Sequence, residues 1–309
     1  MIEIRTILCP IDFSDYSRRA LDHAVAIARW YESKIVVLHV FSAAPVAAYA
    51  PGAPGFDPVV LTRADRDRLL LELQRFIETE CPPAVPVEAI VREGSAAGEI
   101  LSQAAAVKAD LLVMGTHGRS GFERLLLGSV TEKAIRKASC PVLTVPLHHP
   151  DAVPAAPVLF KRILCPVDFW ESSMQALSFA TSLAQEADAE LTVLHVMAHG
   201  LEDTPDLYDT LISDERLSVA DYRRRREEVA RERLNDAVPD SVATYCRVET
   251  MTTHGKPGRE ILRIAAERQA ELIVIGVRGR GTTDLAFFGS TTNHVVRGAD
   301  CPVLTLRQQ

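Results

Sequence analysis

The chain has 309 residues, of which 47% are hydrophobic and 24% charged, with a net charge of −7. That length favours two domains with cores that need no covalent staples. The acidic balance excludes nucleic-acid binding by bulk electrostatics, no apolar run approaches the ~20 residues that span a bilayer, and no basic-then-apolar leader opens the sequence; a cytoplasmic protein with no membrane or nucleic-acid partner is expected.

Strand and helix signals alternate from the start. Thr6 to Pro10 reads as a strand, and Ser14 as the N-cap of a helix through Trp30, with Ala20, Ala24 and Ile27 near helical spacing. Lys34 to Phe41 is a β-branched run and so a buried strand. Asp57-Pro58 looks like a cap followed by an N1 proline, opening a helix to about Thr79. Val87 to Val91 is a third strand, Ser95 caps a helix to Val107, and Asp110 to Gly115 is a fourth strand. A helix from Ser129 to Ala138 and a strand from Val142 to Val145 complete the set. Short apolar strands alternating with helices predict an α/β fold with a mainly parallel sheet covered on both faces.

The same text is then written again. Ile7-Leu8-Cys9-Pro10-Ile11-Asp12-Phe13 matches Ile163-Leu164-Cys165-Pro166-Val167-Asp168-Phe169, 156 residues later. Val37-Leu38-His39-Val40 matches Val193-Leu194-His195-Val196 at that offset, but Gly115 pairs with Gly276 and Cys140 with Cys301 at an offset of 161. The second copy therefore carries extra residues between its second and third strands. The predicted organisation is a domain over residues 1–147, a proline-marked linker over 148–157 (Pro150, Pro154, Pro157) and a second domain over 158–309.

Each half carries a Gly-x-x-Gly pattern, nine residues, and a Gly-Ser pair: Gly115, Gly118, Gly128-Ser129 and Gly276, Gly279, Gly289-Ser290. Each follows an apolar strand and precedes a helix, a geometry that presents free backbone amides to phosphate. Gly115 and Gly118 are expected to permit unusual torsions and close ligand approach, and Ser129 and Thr131 to add hydroxyls. The pattern has no P-loop lysine, which leaves Arg119 and Arg280 as the nearest cations. Ligands of open α/β sheets bind beyond the strand C-termini where the strand order reverses. If the first and fourth strands are neighbours there, Asp12 faces Gly115 across one crevice. Asp12 and Asp168 read either as caps of an Asx turn or as carboxylates for ribose hydroxyls or a phosphate-bound cation.

With Pro-x-Asp after the first strand, these spacings resemble the universal stress protein family, and both halves fit without a gap. The resemblance implies two tandem five-stranded parallel sheets of order 3-2-1-4-5, Rossmann-like and akin to the adenine nucleotide alpha hydrolase fold. It implies ATP or another adenine nucleotide, with Mg, as cofactor. By position, Pro10, Asp12, Val40, Met114, Gly115, Gly118, Gly128, Ser129, Val130 and Thr131 would form the first site. Pro166, Asp168, Val196, Ile275, Gly276, Gly279, Gly289, Ser290, Thr291 and Thr292 would form the second. It also implies pairing of the fifth strands as an internal pseudo-dimer, and is compatible with a further homodimer and an unidentified protein partner. The copies differ at His117/Arg278 and Arg124/Leu285, so the two sites need not be equal.

Three functions compete: a nucleotide-binding stress-response or signalling protein, a slow ATPase or nucleotide-dependent transferase, and an interaction module without nucleotide. Catalysis needs a base and charge neutralisation at the γ phosphate, and the motif places neither. The remaining polar features take ordinary readings. His39 and His195 lack partners at metal-ligand spacing and are assigned to packing or a backbone hydrogen bond, and His148-His149 to a solvated linker. Arg223 to Arg226 reads as a solvated helix face, and Ala43 to Pro58 as a flap or a loose connection. The six cysteines form no CxxC pair and are expected to be buried and reduced.

Overall fold

The computed structural model describes residues 2–41, 62–118, 127–147, 160–197, 219–239, 242–277 and 289–307. The chain divides into two compact units, residues 3–158 and 159–309. The expected linker and the stretch Ala43 to Pro58 lie outside the described residues.

The first unit runs β1 (Thr6–Pro10), α1 (Asp15–Tyr31), β2 (Lys34–Phe41), α2 (Arg63–Glu80), β3 (Val87–Glu93), α3 (Ala96–Ala106), β4 (Leu111–Gly115), α4 (Ser129–Lys137) and β5 (Val142–Val145). The strands pair in parallel in the order β3-β2-β1-β4-β5. Ile7, Leu8, Cys9, Val36, Val37, Leu112 and Val113 are fully buried, as strands covered on both faces must be. Helix α1 packs on β4 and touches α2, while α3 packs on α4. The sheet order reverses at β1, which has β2 on one side and β4 on the other.

The second unit repeats this: β6 (Arg162–Pro166), α5 (Glu171–Ala187), β7 (Glu190–Met197), α6 (Val219–Ala237), β8 (Val248–His254), α7 (Pro257–Glu267), β9 (Leu272–Val277), α8 (Ser290–Gly298) and β10 (Val303–Arg307). Its order is β8-β7-β6-β9-β10, again parallel. The interval from Phe41 to Val87 is five residues shorter than that from Met197 to Val248, so the extra residues fall between the second and third strands. The repeat reaches the torsions: the left-handed residues Phe13, Glu32, Gly94 and Lys108 recur as Phe169, Asp188, Gly255 and Gln269.

Two element boundaries in the first unit differ from expectation by more than one residue. Helix α2 starts at Arg63, not at Pro58. Thr62 is extended and forms a capping box, its hydroxyl accepting from the Asp65 amide while the Asp65 carboxylate accepts from the Thr62 amide. This Thr-x-x-Asp signal satisfies two donors at once and fixes the helix start there. Strand β3 runs on to Glu93 because Val40 and Phe41 still offer it a partner. Among the described residues no helix is long and apolar enough to cross a membrane.

Candidate functional site

The site is built from the turn after β1 and the loop after β4. The β1 ladder outlasts the strand, with the Ile11 amide donating to the Leu38 carbonyl at 2.8 Å. The turn then passes through Phe13 at φ 63°, a torsion costly for a residue with a side chain. Its copy Phe169 has φ 65°. Each ring leans on the histidine of the next strand, Phe13 on His39 and Phe169 on His195, with centroids 4.8 and 4.7 Å apart. Each histidine is held by its Nδ1 at 2.8 Å from a turn carbonyl, Ile11 or Val167. Nδ1 must donate there, so the histidines have the expected backbone role and anchor the turns that carry the aspartates. Burial holds the His195 imidazole below its ordinary value, although its bond to Val167 and the charge of Asp168 pull the other way.

Asp12 Oδ1 accepts from the Ser14 amide at 3.1 Å and from the Ser14 hydroxyl at 2.5 Å. Ser14 Oγ in turn caps α1, accepting from the Ser17 amide at 3.3 Å. The carboxylate is therefore fixed by an Asx turn whose other oxygen, Oδ2, points at the β4 loop. A Cβ built on Gly118 would lie 2.7 Å from that oxygen. The two loops meet as the switch-point argument requires. The Asx turn expected of Asp12 is present, and it engages Oδ1.

The glycines act differently from expectation. Gly115 and Gly118 have no left-handed torsion. A Cβ on Gly115 would sit 2.7 Å from Tyr16 Cβ and 3.1 Å from the Tyr16 backbone, so this glycine lets α1 approach β4. Gly276 is tighter, 2.5 Å from the backbone of Ser172. Thr131 is buried and its hydroxyl donates to the Gly115 carbonyl at 2.9 Å, tying the start of α4 to the end of β4. Thr292 repeats the tie to Gly276 at 3.3 Å. These threonines shape the loop before they offer anything to a ligand.

Helix α4 opens at Gly128, which supplies no side-chain cap, whereas α1, α2 and α3 are capped by Ser14, Thr62 and Ser95. Among the described residues no side chain caps its first turn, and Ser129 is exposed there. Met114 and Ile275 are buried near the ends of β4 and β9, and Pro10 and Pro166 end β1 and β6. Val40 and Val196 lie one residue before the ends of β2 and β7, and Val130 and Thr291 in the first turns of α4 and α8. Arg119, Gly279 and Arg280, with Arg124, Arg278 and Leu285, lie outside the described residues.

The second site differs in detail. Trp170 replaces Ser14, so Asp168 Oδ1 accepts only a backbone amide from that position, at 3.1 Å, and α5 has no side-chain cap. Ser173 Oγ instead accepts from the Asp168 amide at 3.2 Å. Gly289 enters α8 at φ 57°, where Gly128 has −57°. Sequence reasoning missed the Phe13/Phe169 torsions, whose signal is the Asp-Phe pair repeated at an offset of 156.

The cysteines are free, and only Cys81 is not buried. Burial pushes the thiols of Cys81 and Cys140 up to about 11 and that of Cys301 to about 12. Of the run Arg223 to Arg226 on α6, the first three are exposed, as a solvated face should be, while Arg226 is half-buried.

The sequence model of the universal stress protein family matches residues 3–146 and again 159–307. A universal stress protein of Methanocaldococcus jannaschii is 34% identical over 142 residues, 46% of this chain and 81% of the relative. One from Mycolicibacterium smegmatis is 28% identical over 307 residues, 97% of this chain and 96% of the relative. The crystal structure of a universal stress protein from Archaeoglobus fulgidus covers all of both chains at a TM-score of 0.67 and 23% identity, a likeness of fold.

Proposed function

The chain belongs to the universal stress protein family, and from that premise we propose that each of its domains binds ATP or a related adenine nucleotide. The observation that carries this reading is the meeting of Asp12 and Gly118 beside the uncapped start of α4. The carboxylate suits a ribose diol, and the helix start suits the phosphates. Pro10, Val40 and Met114 supply the apolar side, and the second domain offers Pro166, Val196 and Ile275 in the same places. Mg enters only as the ion that the polyphosphate carries.

Nucleotide occupancy then biases conformation or partner choice, and the protein acts in cytoplasmic stress response or signalling. Turnover is slow or absent in this reading, since the aspartates are committed to turn and ribose. The test is to denature freshly purified protein and assay the supernatant for adenine nucleotides. Released nucleotide, or ATP binding by calorimetry, supports the reading. Neither release nor binding leaves an interaction module.

A further inference from the structure

Helix α6 meets the turn that carries Asp168 with a cation, whereas α2 meets the matching turn of the first domain with an aromatic ring. There Phe76 of α2 packs edge-on against Phe13, with centroids 5.6 Å apart. In the second domain the Arg233 guanidinium lies 4.1 Å from the centre of the Phe169 ring. Among the described residues Arg233 has no carboxylate partner. Arg226 sits two helical turns earlier on the same face of α6 and is half-buried. Burial is the main cause that lowers the His195 imidazole, and the charges of Arg233 and Arg226 add to it, so both arginines bear on the end of β7. Strands β3 and β8, and the fully buried Leu73 and Leu234, align α2 with α6 at the offset of 161. Glu72 and Asp65 are then the first domain's residues at these two positions, and the charge of this helix face reverses between the domains.

We propose that the second site takes an adenine nucleotide with an additional phosphate on its ribose, and that Arg233, with Arg226 behind it, holds that phosphate. The inference rests on the nucleotide reading above, which puts the ribose at Asp168. Phe169 follows Asp168 directly and leans on His195 of β7, so the guanidinium on its ring stands on the β7 side of the aspartate. The glycine loop follows β9, on the other side of β6. Stacking engages the face of the guanidinium and leaves its in-plane N–H donors, which suit a phosphate in bidentate geometry. The ribose has two neighbouring hydroxyls: Asp168 accepts from the free one, and Arg233 takes the phosphate on the other. Dinucleotide-binding sheets use the same chemistry, a carboxylate for a ribose hydroxyl and an arginine for a ribose phosphate. At the first site Glu72 occupies the position of Arg233, and a carboxylate there opposes the added phosphate. The two sites thus sort ligands by the charge on the ribose.

The experiment is calorimetric titration of Asp12→Ala, in which the second site is the intact one, with AMP, adenosine 2′,5′-bisphosphate and adenosine 3′,5′-bisphosphate. The readout is the affinity of each bisphosphate relative to AMP. One bisphosphate is expected to bind about 10- to 150-fold more tightly than AMP, the worth of one charged hydrogen bond, and which one does so identifies the hydroxyl. Arg233→Glu in the same background should cancel that gain, and Arg233 is exposed, so the change leaves the core alone. Asp168→Ala, which leaves the first site intact, should show no gain. Failure of both bisphosphates to bind more tightly than AMP in Asp12→Ala, a gain that survives Arg233→Glu, or an equal gain in Asp168→Ala overturns the inference while ATP still binds. Absence of any ATP binding to the unsubstituted protein overturns the nucleotide reading and this inference with it.

Discussion

Gly118 and Asp12 face each other from neighbouring loops: any side chain at Gly118 would begin 2.7 Å from Asp12 Oδ2. The glycine thus leaves room for a carboxylate. Gly118→Ala is expected to push that carboxylate aside and weaken ATP binding at the first site by about 10- to 150-fold, the worth of one charged hydrogen bond. The melting temperature should barely change, because the added methyl meets only the Asp12 side chain and no backbone. Calorimetric affinity and a thermal melt of the same variant check both halves of this statement.

Gly115 and Gly276 should behave in the opposite way. Their absent side chains are where α1 and α5 press on β4 and β9. Alanine there overpacks the core and should destabilise each domain by about 1–3 kcal/mol. Gly276→Ala is the worse of the two, because it meets the Ser172 backbone at 2.5 Å while Gly115→Ala first meets a side-chain carbon. Urea unfolding of both variants gives the order.

Thr131→Val keeps the shape but removes the donor to the buried Gly115 carbonyl. A loss of about 1–3 kcal/mol is expected, the cost of a stranded acceptor. Thr131→Ser should restore most of it. Equal stability of the valine and serine forms would show that the tie is idle.

The thiols give a pH dependence. The folded protein holds Cys81 and Cys140 near 11 and Cys301 near 12, above the ordinary value of 9.0, and burial raises Cys9 and Cys165 further. The unfolded chain therefore releases these protons first. Their contribution is fully present below about pH 9 and is lost as pH rises toward the folded values. The urea midpoint should fall between pH 8 and pH 10.5, and a thiol reagent should label the native protein far more slowly than the urea-unfolded chain.

Much of this was legible in the sequence. The bounds of β1, β2 and β5 follow from runs such as Lys34–Phe41, whose burial leaves no polar alternation to misread. The start of α2 was misplaced because Asp57-Pro58 was read as its opening, while the Thr62-x-x-Asp65 box that opens it lay five residues on. The glycine spacing picked out the loop that meets Asp12, but the unusual torsion expected at Gly115 is absent. That Tyr16 lies against it, or that Thr131 reaches back to its carbonyl, depends on tertiary approach that no local pattern encodes.

The most direct measurement is calorimetric titration with ATP of the unsubstituted protein, stripped of any co-purified nucleotide, alongside Asp12→Ala and Asp168→Ala. Two binding events are predicted in the unsubstituted protein. Each aspartate variant should weaken one of them by about 10- to 150-fold and leave the other. No binding in the unsubstituted protein, or binding unaffected by both substitutions, would contradict a pair of nucleotide sites built on Asp12 and Asp168.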